Sequence, residues 1–200
     1  TLYTPTSGPF NIGTFNDSTY INGHLSDVRF VKGTVVYSGN FTPPTGPLTT
    51  TGGTYPSTTN VDTSITASNT KLLLSGTDAH VLDKSQTYNL KLYADAASTA
   101  ALTSNSTPPY IGAAWANTSA VSFDGVDDYI DLGTAAIPTP YNEDYTFEFW
   151  MYPTSLSRRQ SPIAQYAVGG AGRMLLYLNT NGSIEYYQNG LTNSGYITSS

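Results

Sequence analysis

Residues 145–152 alternate without a break: Phe147, Phe149 and Met151 fall on one face of an extended chain, and Glu148, Trp150 and Tyr152 on the other. A helix would scatter both sets around its circumference, so the segment reads as a strand. Burying the three apolar side chains stabilises by about 1.5–3 kcal/mol each, a sum of the same order as the net stability of a whole domain. The strand is therefore a core element first. Its other face, carrying an indole and a phenol, is amphipathic and suits either a cover or a binding surface.

The same period recurs along the chain. Strand patterns are read at Thr19–Ile21, His24–Val31, Lys71–Leu74, Tyr88–Tyr93, Ser119–Phe123, Tyr129–Leu132, Arg173–Leu178 and Ser183–Gln188. Asn22-Gly23, Asp124-Gly125 and Asn181-Gly182 carry the strongest short hairpin signal, because a type I′ turn needs positive φ at both central positions. In the second strand Leu25, Val28 and Phe30 break the alternation once, which predicts a bulge near Ser26-Asp27. Residues ahead of Thr19 read as loop. Asn40–Leu48 is extended but holds Pro43, Pro44 and Pro47, which cannot donate to a central ladder. Residues 49–69 are Thr, Ser, Gly, Asn and Pro with almost nothing to bury, as in a linker.

Charged residues make up only 11% of the chain, and no window shows sustained helical spacing of apolar residues. Short strands punctuated by turns at roughly ten-residue spacing indicate an antiparallel sandwich or barrel. The net charge of −6 and the single adjacent basic pair, Arg158-Arg159, exclude a nucleic-acid partner, which would need clustered cations. No apolar run approaches the roughly 20 residues that cross a bilayer, so no membrane insertion is expected. The absence of cysteine suits a module assembled in a reducing compartment.

Particular residues carry a family pattern. Ser122–Ile130, with Phe123-Asp124-Gly125 and Asp128-Tyr129, resembles a hairpin near the start of laminin-G-like domains, and Tyr145–Ser155 resembles the strand that follows it. Lys71–Leu74 with Val81–Ser85 is similar to the family's opening strand and loop. Tyr20–Arg29, Val31-Lys32-Gly33, Tyr37 and Asn40–Pro44 resemble a closing segment of tandem modules in cyanophage and other marine-phage virion proteins. The resemblance implies an all-β antiparallel β-sandwich, a concanavalin A-like jelly roll, with the chain spanning the end of one module and the start of the next. Residues 1–48 would be the C-terminal part of a first module, 49–69 the linker, and 70–200 the N-terminal part of a second. A 48-residue tail cannot bury enough surface alone, so it should pack on other chains or on residues 70–200.

The resemblance further implies a non-enzymatic structural or adhesion module at a virion surface, in a tail fibre or decoration. Its partners would be other virion proteins or copies of itself, together with host-surface glycans. A bacterial cell-surface lectin is the alternative, and a glycoside-hydrolase-associated domain a third reading. Catalysis lacks equipment: related glucanases carry an E-x-D-x-E strand, whereas Glu148 is followed by Phe149-Trp150-Met151-Tyr152. Trp150, Tyr152, Tyr187 and Asn189 are the carbohydrate-binding candidates, pairing aromatic faces with an amide. No cofactor is required. Asp124, Asp127 and Asp128 form the densest acidic group and could ligate calcium, although Asp124-Gly125 is accounted for equally well as a turn.

Overall fold

The computed structural model describes residues 8–15, 18–44, 46–52, 59–76, 81–85, 90–94, 97–98, 120–133, 144–166, 173–188 and 196–197. Among them the strands are β1 (Phe10–Ile12), β2 (Asn22–Lys32), β3 (Thr70–Gly76), β4 (Val81–Asp83), β5 (Lys91–Tyr93), β6 (Ala97–Ser98), β7 (Val121–Asp124), β8 (Tyr129–Asp131), β9 (Tyr145–Pro153), β10 (Gln160–Tyr166), β11 (Arg173–Leu178), β12 (Ile184–Gln188) and β13 (Tyr196–Ile197). One sheet runs β13-β12-β11-β10-β1-β8-β5; the other runs β4-β3-β2-β7-β6, with β9 also paired to β2. Every strand pairing among the described residues is antiparallel. Phe10, Ile12, Ile130, Ile163 and Met174 of the first sheet meet Leu25, Val28, Phe30, Leu72, Leu74, Val121 and Phe123 of the second in one buried cluster. The fold is an all-β antiparallel sandwich, one of the two architectures the strand pattern predicts, and is of the concanavalin A-like kind that the resemblance implies.

β2 organises the second sheet. Along one edge it pairs with β9 over nearly its whole length. Along the other it pairs first with β7, through Asn22–Leu25, and then with β3, through Val28–Val31. The register with β9 shifts between Ser26 and Arg29, and Asp27 there has φ +50°. The bulge read from the sequence is thus present, at the point where β2 exchanges one neighbour for another. The extra residue lets Leu25 and Val28 both face the core although three positions separate them.

Two turn readings are corrected. Asn22-Gly23 is no hairpin: β2 runs straight through it. Gly23 is there because a Cβ would lie 2.3 Å from the carbonyl oxygen of Tyr152 on β9, so close backbone approach demands glycine. Asp124-Gly125 does turn the chain, with Gly125 at φ +84°, but it carries the chain from β7 in one sheet to β8 in the other. Asn181-Gly182 does close a hairpin, between β11 and β12. β1 and β10 lie where no strand is expected. β1 is three residues long, too short to show a period. β10 contains Pro162, tolerated because the ladder to β11 is irregular between Gln160 and Ile163.

Residues 1–48 and 70–200 share both sheets, since β1 lies between β10 and β8 while β2 lies between β9 and the β7/β3 pair. The described part of 49–69 is fastened onto this sandwich. Gly52 N–H donates to Ile65, Thr70 Oγ1 donates to Thr50, and Tyr37 bridges to Val61. Val36 and Ile65 pack with Val31 of β2 in a second small cluster on the face turned away from the core.

Candidate functional site

β9 sets the geometry. Phe147, Phe149 and Met151 pack against the core, which by alternation places Thr146, Glu148, Trp150 and Tyr152 on the outer face of the sheet. Over part of that face runs a strap of residues 36–48. Its attachments to β9 include two hydrogen bonds: Val36 N–H donates to Thr146 Oγ1 at 3.2 Å, and the Tyr37 hydroxyl donates to Glu148 Oε1. Further along, the Tyr37 and Phe41 rings stack at 3.7 Å between centroids. At the far end of the strap Leu48 is buried, and its backbone N–H lies toward the Asp27 carboxylate at the β2 bulge, where it works to lower the carboxyl's pKa.

Strap and strand enclose a cleft of about 370 Å³. Tyr37, Phe41, Pro43, Pro44 and Leu48 line one side, and Thr146, Glu148 and Trp150 line the other. Such a volume sits near the lower end of the range for small-molecule sites. Phe41 keeps 45% of its surface exposed, so an aromatic face is offered to solvent at the rim.

The charge at the floor is fixed by a neighbour on the paired strand. Arg29, on β2 opposite Glu148, is fully buried, and its Nη1 lies 3.6 Å from Glu148 Oε2. Burial pushes the Glu148 carboxyl above its ordinary value, and the Tyr37 hydrogen bond and the Arg29 charge only partly offset this. Burial likewise lowers the Arg29 guanidinium and, with Glu148 beside it, pushes the Tyr37 phenol upward. The result is a hydrogen-bond acceptor held rigidly below aromatic walls. Hydrolysis of a glycosidic bond takes a pair of carboxyl groups flanking it; among the described residues the cleft is lined by one.

The sequence candidates are divided by this geometry. Trp150 lines the cleft. Tyr152 is on the same face, 39% exposed and stacked on His24, whose burial lowers its pKa. Tyr187 is exposed but lies opposite Leu175, which packs with Ala164 and Tyr177 on the outer face of the other sheet. It cannot join Trp150 in one site. Asn189 lies outside the described residues. Glu148, Tyr37 and Phe41 are not among the sequence candidates.

The ligating oxygens of Asp124, Asp127 and Asp128 all lie within 4.8 Å of one another. Asp124 Oδ1 accepts from Val126 N–H and Asp128 Oδ2 from Asp124 N–H, so two of the three carboxylates already close the turn between β7 and β8. Calcium takes six to eight oxygens, and these residues supply part of such a set.

The strand that floors the cleft lies in the part of the chain that resembles a known family. Residues 123–200 match a laminin-G family model of the concanavalin A-like lectin/glucanases superfamily. The matching segment contributes Glu148 and Trp150, whereas the strap that completes the cleft lies outside it. No curated protein and no solved structure matches the chain.

Proposed function

We propose that the chain is a non-catalytic carbohydrate-binding module whose ligand lies between the 36–48 strap and β9. The observation that carries this reading is the cleft itself, in which Trp150 and Phe41 offer aromatic faces around a fixed acceptor, Glu148. Sugar rings present axial C–H groups that pack on aromatic faces and hydroxyls that donate to carboxylates. The superfamily of the matching segment includes lectins as well as glucanases, and a lining with one carboxylate among the described residues favours binding over hydrolysis. Placement on a virion appendage, beside copies of itself or other virion proteins and facing host glycans, rests on the resemblance of residues 20–44.

The test is binding of polysaccharides by affinity electrophoresis, with Trp150→Ala and Phe41→Ala as variants and thermal unfolding as the check on folding. Each substitution should weaken binding about tenfold or more, as loss of an aromatic anchor does. Undiminished binding by both folded variants would remove the cleft from the account. Glycan hydrolysis abolished in Glu148→Gln would make the module an enzyme.

A further inference from the structure

Resting on the carbohydrate reading, the charge distribution around the cleft narrows its ligand. Of the lining side chains among the described residues, Glu148 alone is charged. The one cation near it among the described residues, Arg29, has no exposed surface and lies beside Glu148 on the paired strand, so its charge is directed at the carboxylate and not presented to a ligand. Lys84 acts on Asp27, at the β2 bulge. Thr146 Oγ1 accepts from Val36 N–H, which leaves its own hydrogen to donate. Among the described residues the cleft therefore shows one anionic acceptor, the hydroxyls of Thr146 and Tyr37, the latter given to Glu148, and aromatic or proline surface, on a chain of net charge −6.

We infer that the cleft takes an uncharged, hydroxyl-rich glycan and discriminates against uronate and sulfated glycans. A neutral pyranoside gives hydroxyl hydrogens to Glu148 and lays its C–H face on Trp150 or Phe41. A carboxylated or sulfated ring brings a second negative charge toward a carboxylate that the walls shield from water, where repulsion is strong. Neither Arg29, fully buried and held against Glu148, nor any lining cation compensates among the described residues.

The experiment compares the intact chain on laminarin and barley β-glucan with alginate and λ-carrageenan, by affinity electrophoresis and by calorimetry at low and at high salt. Binding to a neutral glucan should be at least about tenfold tighter than to either acidic polymer, and it should barely change with salt. Glu148→Gln keeps an acceptor for Tyr37 and should reduce the discrimination; because it leaves Arg29 without its counter-charge, the wild-type salt series stands as the independent measurement. Equal or tighter binding of alginate or carrageenan, lost in Trp150→Ala, would overturn this inference while leaving the carbohydrate reading in place. No retention by any of the four polymers would overturn both.

Discussion

Two glycines with positive φ show how differently the same residue can be required. Gly23 sits within β2 at φ +153°, and a Cβ there would lie 2.3 Å from Tyr152 O and 2.8 Å from Pro153 Cα, both backbone atoms that cannot swing aside. Gly182 has φ +82° in an open hairpin, and a Cβ added to it would meet nothing within 4 Å. Gly182→Ala should cost about 1–2 kcal/mol, the left-handed penalty alone. Gly23→Ala adds a steric conflict between two paired strands and should cost clearly more, read as a lower urea midpoint. Equal midpoints for the two variants would mean that β9 can move off β2 freely. Asp27 poses a second residue-scale question. Burial raises its carboxyl above the ordinary value, with the Ser26 hydrogen bond, Lys84 and the Leu48 N–H pulling the other way. A raised folded-state pKa means that the native protein holds a proton the unfolded chain has released, so this contribution is full below about pH 4 and is lost as pH rises through the raised value. Asp27→Asn does not titrate, tolerates the positive φ and still accepts from Leu48. Its unfolding midpoint should therefore gain on that of the wild type as pH rises from about 4 to neutrality. Parallel curves across that range would place Asp27 at an ordinary carboxylate value.

At the scale of elements, the attachment of strap to strand is the contact most open to a single change. Tyr37→Phe deletes the hydroxyl that donates to Glu148, leaving a largely buried carboxylate with one donor fewer. Hydrogen bonds to charged groups contribute about 1.5–3 kcal/mol, so denaturant unfolding should show a loss in that range, together with weaker glycan binding as the strap loosens. A variant as stable as the wild type would show that Val36 and Leu48 suffice to hold it. This contact also marks the limit of what can be read from the residues. β9, β11 and β12 are legible because each is long enough to display its period and each has one face in the core. The bulge in β2 is legible as a single fault in that period. β1 offers only Phe10 and Ile12, and β10 hides behind Pro162, so neither advertises its place in the first sheet. The cleft is half visible for a different reason. Trp150 stands out on an alternating strand, but Tyr37 reaches Glu148 across 111 residues of sequence, and no local pattern couples a proline-rich strap to a strand so distant. Tyr187 misleads because adjacent strand residues reveal that they face opposite ways without revealing which sheet they belong to.

For the molecule as a whole, the decisive fact is that the first 32 residues supply both sheets with an interior strand. Phe10, Ile12, Ile21, Leu25, Val28 and Phe30 all lie in the main buried cluster. Each contributes about 1.5–3 kcal/mol by burial, so together they match or exceed the roughly 5–15 kcal/mol that usually separates a domain from its unfolded state. Removing them would also strip β9, β7 and β3 of the strand that joins them, and leave β10 and β8 unpaired along the edges that β1 occupies. A fragment of residues 49–200 should therefore show no cooperative thermal transition and should bind an apolar-surface dye. A peptide of residues 8–48 added in excess should restore the transition, with a midpoint that climbs with peptide concentration, because binding to the folded form alone stabilises by mass action. The restored complex should also regain glycan binding, since the strap returns with β2. If the fragment unfolds cooperatively by itself, the sandwich closes without its first two strands, and the strap becomes an accessory to a module that is complete in residues 49–200.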